Sequence, residues 1–331
     1  MSRRARAAAL VLAAATALAG CRRGAAPSGP LRLGFFPNLT HAQALVGTSE
    51  GLFARELGGA ITLRQFNAGP AAMEALLAGD VDVAYVGPGP AAIAYLRSHG
   101  EALRVVAGAA SGGAVLVART ARTPRELLGK RVATPQLGNT QDIALRVWLK
   151  QQGLRIGEGP AAVQVQPLSN PDILGLFGRG ELEAAWVPEP WGARLLAEAG
   201  AHLLVDERDL WEGHRFPTTV IVASRAALAS RRRDVVAALR VHLALTERWK
   251  ADPAAFARAA NAQYGRLTGH PLSEPILQDA FSRLEPVADP LAPQLLEGAR
   301  HAQELAYAPP GDLTGLVDLS LLEESRAGAA R

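Results

Sequence analysis

Residues 66–86 read FNAGPAAMEALLAGDVDVAYV, and residues 167–187 read PLSNPDILGLFGRGELEAAWV. At an offset of about 101 positions Pro70 falls on Pro171, Gly79 on Gly180, Asp80 on Glu181, Asp82 on Glu183 and Tyr85 on Trp186. Self-similarity at a fixed distance marks a repeated structural unit. Each copy passes from a strand end through a loop into a short helix opened by proline, halts at glycine and resumes as an apolar strand, which is the pattern of a βαβ unit.

The match extends upstream. Phe36-Pro37-Asn38-Leu39-Thr40-His41-Ala42-Gln43 answers Thr134-Pro135-Gln136-Leu137-Gly138-Asn139-Thr140-Gln141, each after a short apolar strand (31–35 and 131–133) and each opening an amphipathic helix. Each half therefore has the order strand, loop, helix, strand, loop, helix, strand, and the pattern predicts two α/β lobes with parallel-type sheets. The apolar strands AVLVA (114–118) and TVIVA (219–223) are expected to carry the chain between lobes as a two-stranded hinge. Apolar spacing of three and four predicts helices over 233–250, 253–264, 273–284 and 292–307, packed on the first lobe. The expected division is 31–115 with 221–331 for lobe 1 and 116–220 for lobe 2.

Composition narrows the class. The chain has 331 residues, 49% hydrophobic and 5% aromatic, as expected of an ordinary globular protein. Its net charge of +4 does not mark a nucleic-acid binder, because Arg3, Arg4, Arg6, Arg22 and Arg23 lie in an acid-free leader and the remainder is near neutral. That leader has a basic start, an apolar stretch too short to span a bilayer, and Leu18-Ala19-Gly20-Cys21. Residues 1–20 read as a lipoprotein signal peptide, Cys21 as the lipid anchor and 21–30 as a Pro/Gly/Ala-rich tether. With Cys21 the only cysteine, disulfides, thiol catalysis and cysteine-held metal are excluded. The histidines show no metal-binding spacing, and Gly87-Pro88-Gly89 lacks the spacing of a dinucleotide loop. No cofactor or metal is expected.

Ligands of open α/β sheets bind beyond the carboxyl ends of the strands, where loops enter helix N-termini. The duplicated loops at 38–43, 68–70, 87–90, 138–142, 169–171 and 188–191 occupy those positions. Unpaired amides at helix starts hold an anion without a cationic side chain, and none of the three lysines (Lys130, Lys150, Lys250) lies in these loops. Candidate ligand contacts are Gly69, Gly87, Gly138, Asn139 and Thr140, together with His41, each with a plainer alternative. His41 is a donor or a surface helix residue; Asn139 with Asp142 is a site element or a helix cap; Gly69 and Gly87 permit close approach or only a turn. Trp186 forms an aromatic wall or sits in the lobe core. Glu189 selects an amine, or pairs with an arginine, or meets solvent. No nucleophile accompanies Asp142 and Glu189, so an acid/base pair is not indicated.

From 31 to 330 the chain resembles the ABC-importer binding proteins for aliphatic sulfonates, taurine and nitrate. The resemblance rests on FPNLTHAQALVGTSEGLF (36–53), AAMEALLAGDVDVAYVG (71–87), LLGKRVATPQLGNTQDIALRVWLKQQGL (127–154) and EAAWVPEPWGARLL (183–196), with FPTTVIVASRAAL (216–228) at the returning hinge. It implies a type II periplasmic binding protein fold and a small anionic solute in the interlobe cleft. By position it implies contacts from Asn38, Thr40, His41, Gly69, Gly87, Ser111, Asn139, Thr140 and Glu189. It implies ABC permease and ATPase partners, a monomer held at the outer face of a membrane by its lipid, no nucleic acid and no enzymatic activity. Nitrate, bicarbonate and thiamine-pyrimidine precursors are alternative ligands. The alternative classes are a ligand-sensing lipoprotein and a pyrimidine-precursor synthase, an enzyme of similar outline whose cysteine-rich motif is missing from this chain.

Overall fold

The computed structural model describes residues 29–329; the leader and Cys21 lie outside the described residues. The first lobe opens with β1 (Leu31–Phe35), a 3-10 turn at Leu39–His41, α1 (Ala42–Ser49), α2 (Leu52–Glu56), β2 (Ile61–Gln65), α3 (Gly69–Leu77), β3 (Val83–Val86), α4 (Pro88–Arg97) and β4 (Leu103–Gly112). The second lobe holds β5 (Ala114–Ala118), β6 (Arg131–Thr134), α5 (Thr140–Gln151), β7 (Gln164–Pro167), α6 (Asn170–Gly178), β8 (Ala184–Pro188), α7 (Trp191–Glu198) and β9 (His202–Asp206). The chain then returns to the first lobe through β10 (Pro217–Ser224), α8 (Arg225–Ser230), α9 (Arg232–Ala251), α10 (Pro253–Thr268), α11 (Glu274–Ser282), β11 (Leu284–Pro286), α12 (Ala292–Glu304) and α13 (Ser320–Ala329).

Two separate sheets result, in the orders β11-β4-β10-β3-β1-β2 and β7-β6-β8-β5-β9. The duplication is visible in the register. β1 lies parallel between β2 and β3 with Leu33 opposite Val83, and β6 lies parallel between β7 and β8 with Val132 opposite Ala184. Tyr85 and Trp186, matched in sequence, occupy matched strands, and both are buried. Helices cover both faces of each sheet: Phe35, Leu45 and Trp249 fill one side of the first and Leu96, Val222 and Leu295 the other. In the second, Trp148 and Trp186 lie on one face, and Phe177, Val187 and Leu195 on the other.

The sheets are mixed rather than purely parallel-type. β10 inserts antiparallel between β3 and β4, and β5 pairs antiparallel with β8. The expected crossing strands need correction on this point. All of β5 belongs to the second sheet and all of β10 to the first, since each is held along its length by ladder bonds within one lobe. The crossing falls instead at Gly112-Gly113 and at the stretch before Pro217, which run side by side: the Gly112 amide donates to the Phe216 carbonyl at 3.2 Å, and the Thr218 hydroxyl donates to the Gly112 carbonyl. Four C-terminal helices run close to their expected spans and pack on the first lobe; α13, which the apolar spacing did not predict, packs along α9.

Gly112 and Gly113 have φ of +73° and +72°, in the left-handed region. A Cβ on Gly112 would also stand 2.3 Å from the Arg283 carbonyl oxygen, a backbone atom that has no rotamer in which to escape. Gly79 has φ +80° but open space around it, so Gly79→Ala isolates the dihedral cost. Urea denaturation should show Gly79→Ala costing about 1 kcal/mol and Gly112→Ala at least about 2 kcal/mol. Equal losses would remove the close approach at the crossing.

Candidate functional site

The carboxyl ends of both sheets face each other across a cleft, and the helices that follow those strands point their N-termini into it. From the first lobe come the 3-10 turn before α1, the start of α3 at Gly69 and the start of α4 behind Gly87; from the second come α5 behind Asn139 and α6 at Asn170. These helix starts turn the positive ends of their dipoles toward the cleft, although Pro88 and Pro90 of α4 carry no N–H and the Gly89, Asp142 and Asp172 amides donate to Thr140, Asn139 and Ser169.

The innermost space is lined by Asn38, Thr40, His41, Asn67, Gly69 and Gly87 from the first lobe, Asn139, Thr140, Gln141 and Asn170 from the second, and Thr218 at the crossing. It is small, with about 30 Å³ open to the centre of a water molecule. A single water needs roughly 10–15 Å³ on this measure, so the space suits a group of a few atoms. Among the described residues, no Lys, Arg, Asp or Glu lines it.

His41 is the titratable group in the wall. It is buried, and burial pushes its imidazole from 6.5 down to about 3, so it is neutral at ordinary pH. Its Nδ1 accepts the Phe36 amide at 3.3 Å, which leaves the proton on Nε2 as a neutral donor. Asn139 caps α5, its Oδ1 accepting the Asp142 amide at 2.8 Å. Thr140 Oγ1 accepts the Gly89 amide from the other lobe at 3.3 Å. Such an approach needs Gly87: a Cβ there would sit 2.3 Å from Thr140 Oγ1.

The lobes are closed on each other. Trp191 Nε1 donates to Asn38 Oδ1 at 3.0 Å, and the Tyr307 hydroxyl donates to Asp142 Oδ2 at 2.6 Å, each bond joining one lobe to the other. Seven of the anticipated contacts, Asn38, Thr40, His41, Gly69, Gly87, Asn139 and Thr140, lie in the lining.

Four others lie elsewhere. Trp186 is fully buried in the second lobe, edge-on to Trp148 at 6.0 Å, its Nε1 donating at 2.7 Å to Glu207, whose carboxyl burial pushes up to about 7. Glu189 is also fully buried: Arg283 of the first lobe donates to Oε1 at 2.9 Å, and the Ala193 amide to Oε2 at 3.0 Å. Burial raises this carboxyl above its usual range, with Arg283 acting in the opposite direction. Glu189 thus ties α7 to the crossing rather than selecting a ligand. Ser111 is buried in β4 opposite Pro217 and Glu285, and its place in the lining is taken by Thr218. The Gly138 amide donates to Asp142 Oδ2 at 3.0 Å, and Gly138 lines the neighbouring groove instead.

The sequence reading missed Asn67 and Thr218, and reached Gln141 and Asn170 only as members of the 138–142 and 169–171 loops. The repeat offset carries Gly69 onto Asn170, so the duplication itself held the signal for that residue. Among the described residues no helix is long and apolar enough to cross a membrane, and no group of three His, Cys, Asp or Glu is placed to hold a metal.

Two duplicated α/β lobes close over a cleft at the ends of their strands. The chain belongs to the NMT1-like family, whose model matches residues 24–263. It is 28% identical over 197 residues to the taurine-binding periplasmic protein of Escherichia coli K12, a match spanning 59% of this chain and 59% of that relative. Its fold is that of the alkanesulfonate-binding protein of Xanthomonas axonopodis pv. citri bound to MOPS (TM-score 0.67, 21% identity, 91% and 99% of the two chains). The periplasmic nitrate-binding protein of Synechocystis PCC 6803 shares it (0.76, 13%, 90% and 88%), as does a mutant of DSZB in complex with biphenyl-2-sulfinic acid (0.62, 18%, 90% and 99%).

A histidine whose pKa is lower folded than unfolded contributes stability above its unfolded value and loses it as pH falls, because the unfolded chain takes the proton first. For His41 the window runs from 6.5 down to about 3. Between pH 6 and 4 the parent should lose about 1.4 kcal/mol per pH unit more than His41→Gln, measured by urea unfolding. Parallel pH profiles would place an accessible, ordinary imidazole at this position.

Proposed function

We propose that the protein is an exported, lipid-anchored receptor that captures a small organic anion with a sulfonate-type head and delivers it to an ABC importer. The observation that carries this reading is the absence of any charged side chain in a cleft wall built from helix N-termini and Asn, Gln, Thr and neutral His donors of both lobes. Such a set solvates an oxyanion by hydrogen bonds alone. The small inner space suits one anionic head group. A nitrate or bicarbonate receptor is the second reading of the same donors.

Catalysis is disfavoured by the composition of the wall, which brings together neither a nucleophile nor an acid/base pair. The anchor reading is supported by the Leu18-Ala19-Gly20-Cys21 leader, and the importer reading by the likeness to a taurine-binding periplasmic protein.

Replacing Asn139 and Thr140 together by Ala removes one donor site and one contact between lobes. Calorimetry with ethanesulfonate and taurine should show affinity falling at least about tenfold, while loss of the α5 cap lowers stability by only about 1 kcal/mol. Unchanged affinity would detach these residues from the ligand. Membrane fractionation tests the anchor: Cys21→Ala should release a soluble protein that still binds, and a variant that stays membrane-bound would contradict lipidation at Cys21.

A further inference from the structure

The chain enters the fold at a pinned point. The buried Arg231 guanidinium donates to the Gly29 carbonyl at 3.0 Å, two residues ahead of β1. That point lies at one end of the first lobe. β1, β2, β3 and β4 all start there, since Leu31 lies opposite Ile61, Leu33 opposite Val83, and Leu103 opposite Ser224 at the end of β10. The Arg225 amide, at the start of α8, donates to the Ala102 carbonyl just before β4, and α9 leaves from Arg232. The cleft lies at the other ends of these strands, at Asn38, Gly69 and Gly87. Gly29 therefore marks the pole of lobe 1 that faces away from the cleft. Because the carboxyl ends of the two sheets face each other, the amino ends of β6, β7 and β8 form the opposite pole of the molecule.

Eight peptide steps separate Gly29 from Cys21. Fully extended they reach about 29 Å, and any other conformation reaches less. A folded body of about 300 residues has a radius of gyration of about 19 Å, so the two poles stand about 50 Å apart or more. A leash shorter than the molecule it holds keeps the attached end near its anchor and forbids the inverted posture, with lobe 2 down and the lobe 1 pole uppermost. Charge does not set this posture. Arg225, Arg232 and Arg233 are exposed at the lobe 1 pole, but Arg232 pairs with Glu324 at 2.7 Å, and Asp80 and Glu101 are exposed beside the strand starts. Among the described residues the pole thus mixes both signs and is no polybasic patch of the kind that holds anionic lipid unaided.

We infer that the pole of lobe 1 around Gly29, Arg225 and Arg233 is the bilayer-facing surface of the anchored protein, its partner the phospholipid headgroup layer, and that lobe 2 is the outer lobe. This rests on the lipid anchoring at Cys21 proposed above and adds a posture to it. The short leash holds lobe 1 beside the membrane, so opening of the cleft swings lobe 2. The same leash lets the molecule lie down on its side but not turn over.

Energy transfer from a thiol-linked label to a headgroup dye in vesicles reads the height of each pole. With Cys21 acylated, a cysteine introduced elsewhere is the one free thiol. Ala229→Cys, exposed on α8, labels the lobe 1 pole, and Ala161→Cys, exposed ahead of β7, labels the lobe 2 pole. Lys130→Cys, exposed at the start of β6, replaces Ala161→Cys if that variant does not fold. With the acylated protein in phosphatidylcholine vesicles, transfer from position 229 should exceed transfer from position 161 at least about twofold, and phosphatidylglycerol should leave the ratio unchanged. Equal or reversed transfer overturns the posture and leaves the anchor standing. A difference seen only with anionic lipid also overturns it, because charge rather than the leash would then hold the pole. Protein that does not stay with the vesicles overturns both the posture and the anchor.

Discussion

The inner pocket is arranged around helix starts that face one another with no cationic side chain among its described lining residues. An unpaired amide at a helix N-terminus is a fixed partial positive charge whose alignment was met by folding, so it loses nothing in reorganisation when an anion arrives. A lysine in the same place would bring a full charge together with a large desolvation cost and a flexible stem. The duplicated βαβ units supply such starts twice, once from each sheet, and the neutral His41 and the asparagine-rich wall extend the same chemistry to side chains.

Contacts between the lobes lie around the cleft. The Gly89–Thr140, Trp191–Asn38 and Tyr307–Asp142 hydrogen bonds each join one lobe to the other. Where the two crossings run together, Gly112-Gly113 adopts left-handed backbone and the buried Glu189–Arg283 pair fastens the start of α7 to the first lobe. Arg283 also pairs with Asp279 at 2.8 Å, so the crossing is held by a three-membered charged cluster, while single hydrogen bonds join the lobes at Trp191–Asn38 and Tyr307–Asp142.

The duplicated framework was legible because its signals are local. A proline opening a helix, a glycine ending it and an apolar run recur at one offset, and the fold sets the two copies in equivalent registers of separate sheets. What was not legible depends on partners distant in sequence. Trp186 at a strand end looks the same whether it walls a cleft or fills a core, and Glu207, which settles the matter, lies 21 positions on. Glu189 answers to Arg283, 94 positions away, and Gly138 to an Asp142 carboxylate that also serves Thr134, Arg146 and Tyr307. The antiparallel insertion of β10 was hidden for the same reason: an apolar run does not reveal which sheet receives it.

That neutral donors grip an anion is tested most directly by calorimetric affinity for one permanently ionised sulfonate between pH 8 and pH 5 at constant ionic strength. With His41 neutral down to about 3, affinity should stay constant within about twofold across that range. A tenfold rise on acidification would mean that an imidazolium forms at the site and holds the ligand by charge, which contradicts a neutral grip.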